Sequence, residues 1–474
     1  MCVWIKNKLV IFVFAFIILS VATCTNKTKK DFPVLFKVLD NNKTGLDFSN
    51  NLEAKPDFNM LKYMYFYNGA GVGAGDFNND GKIDLFFASN QSRNKIYINK
   101  GNLQFTDVTE DTKIPDDGGW STGVAIADVN DDGLLDIYVC RVGHYESLHS
   151  KNQLLICKGI SEKGIPYYED EAKQYGLDFS GFSTQAAFLD YDMDGDLDMY
   201  LLNHSLRYSS TFAPQSNFKG TVDSLSGDRL FRNDGNHFTD VSKTSGINQS
   251  VIGYGLGIVV ADVNLDGYPD IYIGNDFHEN DYLYINNRNG GFTDELTNSV
   301  MHTSQFSMGV DIADITNDGF PEIFTADMMP SDPYILKRSL GVDEYNTFLI
   351  KIRNGYNYQY SRNALQLNRR NGQFSEIGLY ADVYATDWSW SALWMDFDND
   401  GQKDLFISNG IPKRLNDIDY INYISNDELQ SKVQTNQFGE REMNLINKFP
   451  QIKLPNRFFR NKGQASFEDA GTGI

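Results

Sequence analysis

Cysteine, histidine and basic residues are scarce in this 474-residue chain, and each scarcity removes a class of answer. The four cysteines stand at positions 2, 24, 140 and 157, too scattered for a disulfide scaffold and without a CxxC pair for zinc or redox work. The six histidines form no HExxH motif, which argues against a zinc centre. Lysine and arginine number 42 against 63 acids, a net charge of −21 that excludes nucleic acid and anionic membrane as natural partners. There is no phosphate loop. Long apolar runs are also missing except for Leu9–Leu19, which follows Lys6 and Lys8, is too short to span a bilayer and reads as the core of a signal peptide.

What is abundant is aromatic residues, at 14%, and glycine, with 40, the balance of a turn-rich β protein. One nine-residue pattern occurs six times: DFNNDGKID from Asp76, DVNDDGLLD from Asp128, DYDMDGDLD from Asp190, DVNLDGYPD from Asp262, DITNDGFPE from Asp314 and DFDNDGQKD from Asp396. A strand-like piece rich in small residues precedes each copy and an apolar strand follows it. A third strand ending in an Asn/Gly turn and a short aromatic-led fourth strand complete the unit. Four short strands per repeat predict an all-β propeller. Val34–Phe48 resembles a fourth strand with its following stretch, as in HFTDVSKTSGI. The expectation is therefore a seven-bladed ring whose last blade is truncated, the alternative being six blades with a spare N-terminal strand. Surplus residues collect between second and third strands, at 143–152, 204–228, 328–362 and 410–456, and the last insertion has the apolar spacing of one or two helices. Cys140 and Cys157 end neighbouring strands; a hairpin would set Cys140 near Gln153, so two buried thiols are expected rather than a disulfide.

The repeated pattern places oxygen-bearing side chains at positions one, three, five and nine, a backbone carbonyl at seven and a glycine for the turn at six. This is the donor set of calcium. The candidate ligands are Asp76, Asn78, Asp80, Lys82 and Asp84; Asp128, Asn130, Asp132, Leu134 and Asp136; Asp190, Asp192, Asp194, Asp196 and Asp198. The remaining copies supply Asp262, Asn264, Asp266, Tyr268 and Asp270; Asp314, Thr316, Asp318, Phe320 and Glu322; Asp396, Asp398, Asp400, Gln402 and Asp404. About one calcium per loop, up to six, would neutralise more than half of the surplus negative charge. An EF-hand is excluded because position twelve is apolar or threonine rather than glutamate in every copy. The copies from Asp190 and Asp396, each with four carboxylates, are expected to bind most tightly, and the copy with Thr316 and Glu322 most weakly. The competing explanation is Asx turns without metal.

The repeats resemble FG-GAP or VCBS repeats, and stretches such as YFYNGAGVGAGDFNNDGKIDLFFASN and ATDWSWSALWMDFDNDG are similar to bacterial VCBS-repeat lipoproteins related to cartilage acidic protein. The resemblance covers Asp31–Ile474 and implies an integrin-α-like calcium propeller, followed in longer relatives by an ASPIC/UnbV domain. Val21-Ala22-Thr23-Cys24 resembles a lipobox, with Thr23 in place of the usual small residue. The expected domains are a signal peptide over 1–23, a lipidated tether over 24–31 with Cys24 as acceptor, and the propeller over 32–474. That places the protein outside the cytoplasm, held to the bacterial cell envelope, at the outer membrane or cell surface, by its N-terminal lipid alone.

In a four-stranded antiparallel blade the acidic loops and the insertions emerge on opposite faces. The insertion face should gather Trp120, Trp388, Trp390, Asp276, His278 and Glu279 with His204, Arg207, Lys413 and Arg414. If exposed, these aromatics beside acids would suit sugar rings; if buried, they fill gaps between blades. A noncatalytic binding or adhesion module for an extracellular or periplasmic protein or glycan is the leading expectation. The alternative is a polysaccharide-directed hydrolase or lyase led by His278 and Glu279.

Overall fold

The computed structural model describes residues 36–471 apart from 146–147, 207–211, 340, 412, 436 and 448–450. The apolar run at 9–19 and Cys24 lie outside the described residues. Six sheets follow one another along the chain, each antiparallel with its four strands in sequence order. Blade one comprises Val72–Gly75, Asp84–Phe87, Lys95–Asn99 and Phe105–Asp107; blade two Trp120–Ala127, Asp136–Val142, Gln153–Ile160 and Pro166–Asp170; blade three Ser183–Leu189, Asp198–Asn203, Arg229–Asn233 and Phe238–Asp240. Blade four comprises Gly255–Ala261, Asp270–Asn275, Tyr282–Asn286 and Phe292–Asp294; blade five Val310–Ala313, Glu322–Thr325, Ala364–Asn368 and Phe374–Glu376; blade six Ser389–Met395, Asp404–Asn409, Arg457–Asn461 and Phe467–Gly471. This is the propeller that the repeat predicts.

The apolar character of the second strands has a simple cause: they are buried on both sides. Along DIYVC of blade two, Ile137 and Val139 pack against Phe86, Ile96 and Ile98 of blade one, whereas Tyr138 and Cys140 pack against Met199, Leu201 and Phe231 of blade three. Side chains alternate across a strand, so one strand serves two inter-blade cores. The same arrangement joins blades three to four, four to five and five to six. First strands crowd together, which explains their small residues. A β-carbon on Gly123 would lie 2.4 Å from the Thr184 carbonyl oxygen, and one on Gly309 2.2 Å from that of Trp390. Cys140 and Cys157 are free and buried, with Val139 paired to Gln153.

The blade-six insertion forms three short helices, Ile418–Ile424, Asp427–Gln434 and Glu440–Ile446. Asp417 and Asn426 cap the first two by accepting backbone N–H bonds. Blade five contributes Pro333–Arg338 and Tyr345–Arg353. The expected strand within Val34–Phe48 needs correction. Residues 36–40 carry no strand and Asn41–Thr44 form one helical turn, because Asp40 caps Asn42 and Gly45 turns the chain with φ +75°. The turn at Gly45 within that segment does behave as the resemblance to HFTDVSKTSGI implies. A β-carbon on Gly45 would meet the Phe105 carbonyl oxygen, as one on Gly176 would meet that of Phe238 and one on Gly246 that of Phe292.

Candidate metal loops and the capped opposite face

All six acidic loops share one hydrogen-bond plan. The first-position acid accepts from the N–H groups of positions five and six, as Asp76 does from Asp80 at 2.9 Å and Gly81 at 2.7 Å. Asp128, Asp190, Asp262, Asp314 and Asp396 repeat it. The sixth-position glycine takes a left-handed φ in each, from 82° at Gly81 to 102° at Gly195. The ninth-position acid is buried and acts as a bolt. Asp84 accepts from Phe77 N–H at 3.0 Å and, across the sheet, from Asn99 N–H at 2.7 Å. Asp136, Asp198, Asp270 and Asp404 bridge the corresponding pairs. Burial pushes Asp84, Asp136 and Asp270 up to about 6 and Asp198 and Glu322 to about 7, since a desolvated carboxylate resists charge.

The residues present fit a hard cation. Buried oxygens at ligand positions have no hydrogen-bond partner: Asp192 Oδ1, Asp196 Oδ1, Thr316 Oγ1, Glu322 Oε1 and Asp398 Oδ1. Among the described residues, Asp190, Asp192 and Asp194 bring carboxylate oxygens within 4.8 Å of one another, as do Asp396, Asp398 and Asp404. Both groups belong to the four-carboxylate loops. All these donors are oxygens, the set that calcium takes.

On the opposite face, the residues named as candidate ligand groups are mostly buried, in keeping with the gap-filling alternative. Residues 52–67 lie over the insertion side and pack with the blade-six helices. Phe58, Tyr63, Tyr65 and Phe66 join Trp120, Phe182, Tyr254, Tyr420, Phe438 and Met443 in one apolar cluster. Trp120 is 2% exposed and His204 fully buried. Burial pulls His204 down to about 4, so its ring is neutral; Nδ1–H donates to the Ser205 carbonyl and Nε2 accepts from the Tyr63 hydroxyl at 3.1 Å. Asp276 accepts from the Tyr65 hydroxyl at 3.1 Å, and burial raises it to about 7. Trp388 is buried, Trp390 donates from Nε1 to the Gly410 carbonyl at 2.6 Å, and Arg414 pairs with Asp387 at 3.0 Å. Lys413 donates to the Asn447 carbonyl, and Arg207 lies outside the described residues. His278 is buried beside Phe212 and Tyr356, and Glu279, also buried, sits apart from the aromatic cluster. Beneath this cap a cavity of about 340 Å³ runs between first strands, lined by Tyr63, Trp120, Gln185, Met308 and Trp390 among others.

The FG-GAP-like repeat model matches residues 76–139, 262–325 and 352–407. The chain is a β-propeller that carries FG-GAP-like repeats over those stretches. Cartilage acidic protein 1 of Mus musculus is 28% identical over 156 residues, 32% of this chain and 23% of that protein. Its Xenopus tropicalis counterpart is 27% identical over 173 residues, 36% of this chain and 25% of that protein. The chain thus matches about a quarter of the length of these relatives. Among solved structures, the exotype rhamnogalacturonan lyase YesX aligns over 73% of this chain and 54% of its own at 10% identity, with a TM-score of 0.35.

Within this FG-GAP propeller the loops are not equivalent. Arg288 pairs with Asp266 at 2.9 Å, Arg460 with Asp398 at 2.6 Å, and Arg370 with Asp318, while Lys82 reaches Asp80 at 2.9 Å. A second repeated device has no counterpart in the sequence analysis: an Asn or Asp just before each third strand accepts an N–H from within two residues of the end of the second. The acceptors are Asn94, Asn152, Asp228, Asp281, Asn363 and Asn456. The signal was present as N-KIYIN, N-QLLIC, D-RLFRN, D-YLYIN, N-ALQLN and N-RFFRN.

Proposed function

We propose that this FG-GAP propeller is a noncatalytic binding module, stiffened by calcium in its acidic loops and displayed on the bacterial cell envelope. The observation that carries the metal assignment is the set of buried loop oxygens without partners, at positions the repeat reserves for ligands. Calcium would supply charge neutralisation and cross-linking of first and second strands, with no part in chemistry. The structural pairing of His204, Asp276 and Arg414 favours binding over catalysis, since these groups are already engaged. Residues 1–23 act as a signal peptide and Cys24 as the lipid acceptor, leaving the propeller to meet a protein or glycan. Among the described residues no helix is long and apolar enough to cross a membrane. Pull-down and glycan screens with and without chelator test the reading: calcium-dependent capture without turnover supports it, and cleavage of a polymer would replace it with the hydrolase or lyase alternative.

Seven blades rather than six is the finer architectural proposal. The Asp40–Gly45 turn meets Phe105 as the turns after the fourth strands of blades two and three meet the next blade, which is the turn a preceding blade would supply to blade one. Exposed Val72, Leu393 and Met395 on the first strands of blades one and six agree, since no first strand in between exposes a large apolar side chain among the described residues. A Val72→Cys/Leu393→Cys pair that cross-links readily would contradict this and favour a six-bladed ring.

A further inference from the structure

Glu279 is the buried acid that the scaffold does not explain. Its neighbour Asp281 performs the repeated turn role, accepting from Asn275 N–H, the Tyr272 hydroxyl and the Ser307 hydroxyl. In blade one the same turn places Ser92 where blade four has Glu279, two residues ahead of the acceptor. Glu279 is 3% exposed, its Oε1 accepts from Gln215 Nε2 at 3.2 Å, and its Oε2 has no hydrogen-bond partner. The Tyr282 hydroxyl, on a residue 3% exposed, faces the Glu279 carboxylate without closing a well-formed hydrogen bond to it, so both groups keep bonding capacity toward the cavity. A buried acid left half-satisfied costs stability, so its retention asks for a ligand.

Both residues line a cavity of about 570 Å³ between blades three and four, together with Gln215, Phe218, Asn248 and Asp294. That volume falls within the range of about 300–1,000 Å³ typical of small-molecule sites. The wall is made of parts that differ between repeats: the blade-three insertion, the connection into blade four and the blade-four turn. Two carboxyls, four amides and two lysine amines offer both acceptors and donors, and Phe218 adds an aromatic ring, a combination suited to a polyhydroxylated ring. Glu279 is buried and Asp294 exposed, and Lys219 and Lys243 in the same lining offset the two acids, so no net charge of one sign calls for a charged ligand.

Resting on the binding-module reading, we propose that this cavity is the propeller's ligand site and takes a neutral sugar unit of a glycan, with Glu279 as its anchoring hydrogen-bond partner. The test is calorimetry of the calcium-loaded chain with neutral tetrasaccharides (cello-, malto-, xylo- and chitotetraose) and with tetragalacturonate. Two variants are compared with the parent: Glu279→Gln, which keeps size and the contact to Gln215, and Val222→Trp, at an exposed cavity-lining position, which narrows the entrance. The expected result is binding of at least one neutral tetrasaccharide, weakened at least about 10-fold by each variant with neither melting temperature lowered, the size of a lost charge-assisted hydrogen bond. Neutral-sugar binding unaffected by both variants would overturn the site and leave the binding module standing. Binding confined to tetragalacturonate would overturn the neutral-sugar assignment, and no binding of any neutral sugar would overturn the proposal. Failure to capture any glycan or protein in the broader screens would sink the binding-module reading itself.

Discussion

The two faces of the propeller are built on opposite principles. The loop face repeats one local device six times, each closed within nine residues by Asx turns and bolted to its own blade's third strand by the ninth-position acid. The capped face is assembled once, from residues 52–67, three blade-to-blade junctions and helices whose Tyr420 reaches back 360 residues to Met60, around an aromatic cluster. Proximity in sequence makes the first redundant and graded; remoteness makes the second a single cooperative unit. Loss of one loop should therefore weaken the molecule, while loss of the cap's centre should release a whole layer.

Removing calcium offers the sharpest break in that comparison. Chelation should lower the melting temperature in scanning calorimetry, because each site filled at about 100 times its Kd contributes about 2.7 kcal/mol. Hydrogen exchange should then rise first on the loop face and leave residues 58–66 protected. An unchanged melting temperature would return the loops to plain Asx turns. Next in size is Trp120→Ala, expected to cost about 3–5 kcal/mol in urea denaturation through the cavity it leaves among Phe58, Tyr63 and Phe66. It should loosen residues 52–67 while the acidic loops keep their exchange protection.

Asp136→Ala, measured in chelator so that metal is not a factor, should cost about 2–4 kcal/mol by stranding the Val129 and Cys157 N–H groups. A pH series separates the faces differently. His204 is held neutral with its folded value near 4, so between about pH 6.5 and pH 4 the unfolded chain binds the extra proton and stability is lost as pH falls. The stability gap between the parent and His204→Gln should narrow over that window, as followed by urea titrations at successive pH values. The smallest effect belongs to Arg288→Ala, under about 1 kcal/mol in stability, since its pair with Asp266 is exposed on the arginine side.

Much of the loop face could be read directly. Positions one, five, six and nine carry their roles in their identities, and the second strands announce burial on both sides by unbroken apolar runs such as DIYVC. The Asn or Asp before each third strand was equally readable, and was passed over because a single polar residue beside a turn looks ordinary. The capped face was harder. Trp120, His204 and Asp276 read as ligand groups because nothing near them in sequence satisfies them; their partners Tyr63 and Tyr65 come from the segment FNMLKYMYFYNG, whose aromatic density was the available clue.

By itself the sequence determined the blade, its strand order, the opposition of loops to insertions and the oxygen-rich chemistry of the loops. These depend on contacts within a few residues, or on a period that repeats. Only the tertiary structure decided which side chains on the other face are spent on packing and which, like Glu279, are left with an unanswered oxygen. That distinction depends on distant segments closing over a surface, and burial sets both the protonation state of His204 and the cost of leaving Glu279 half-paired.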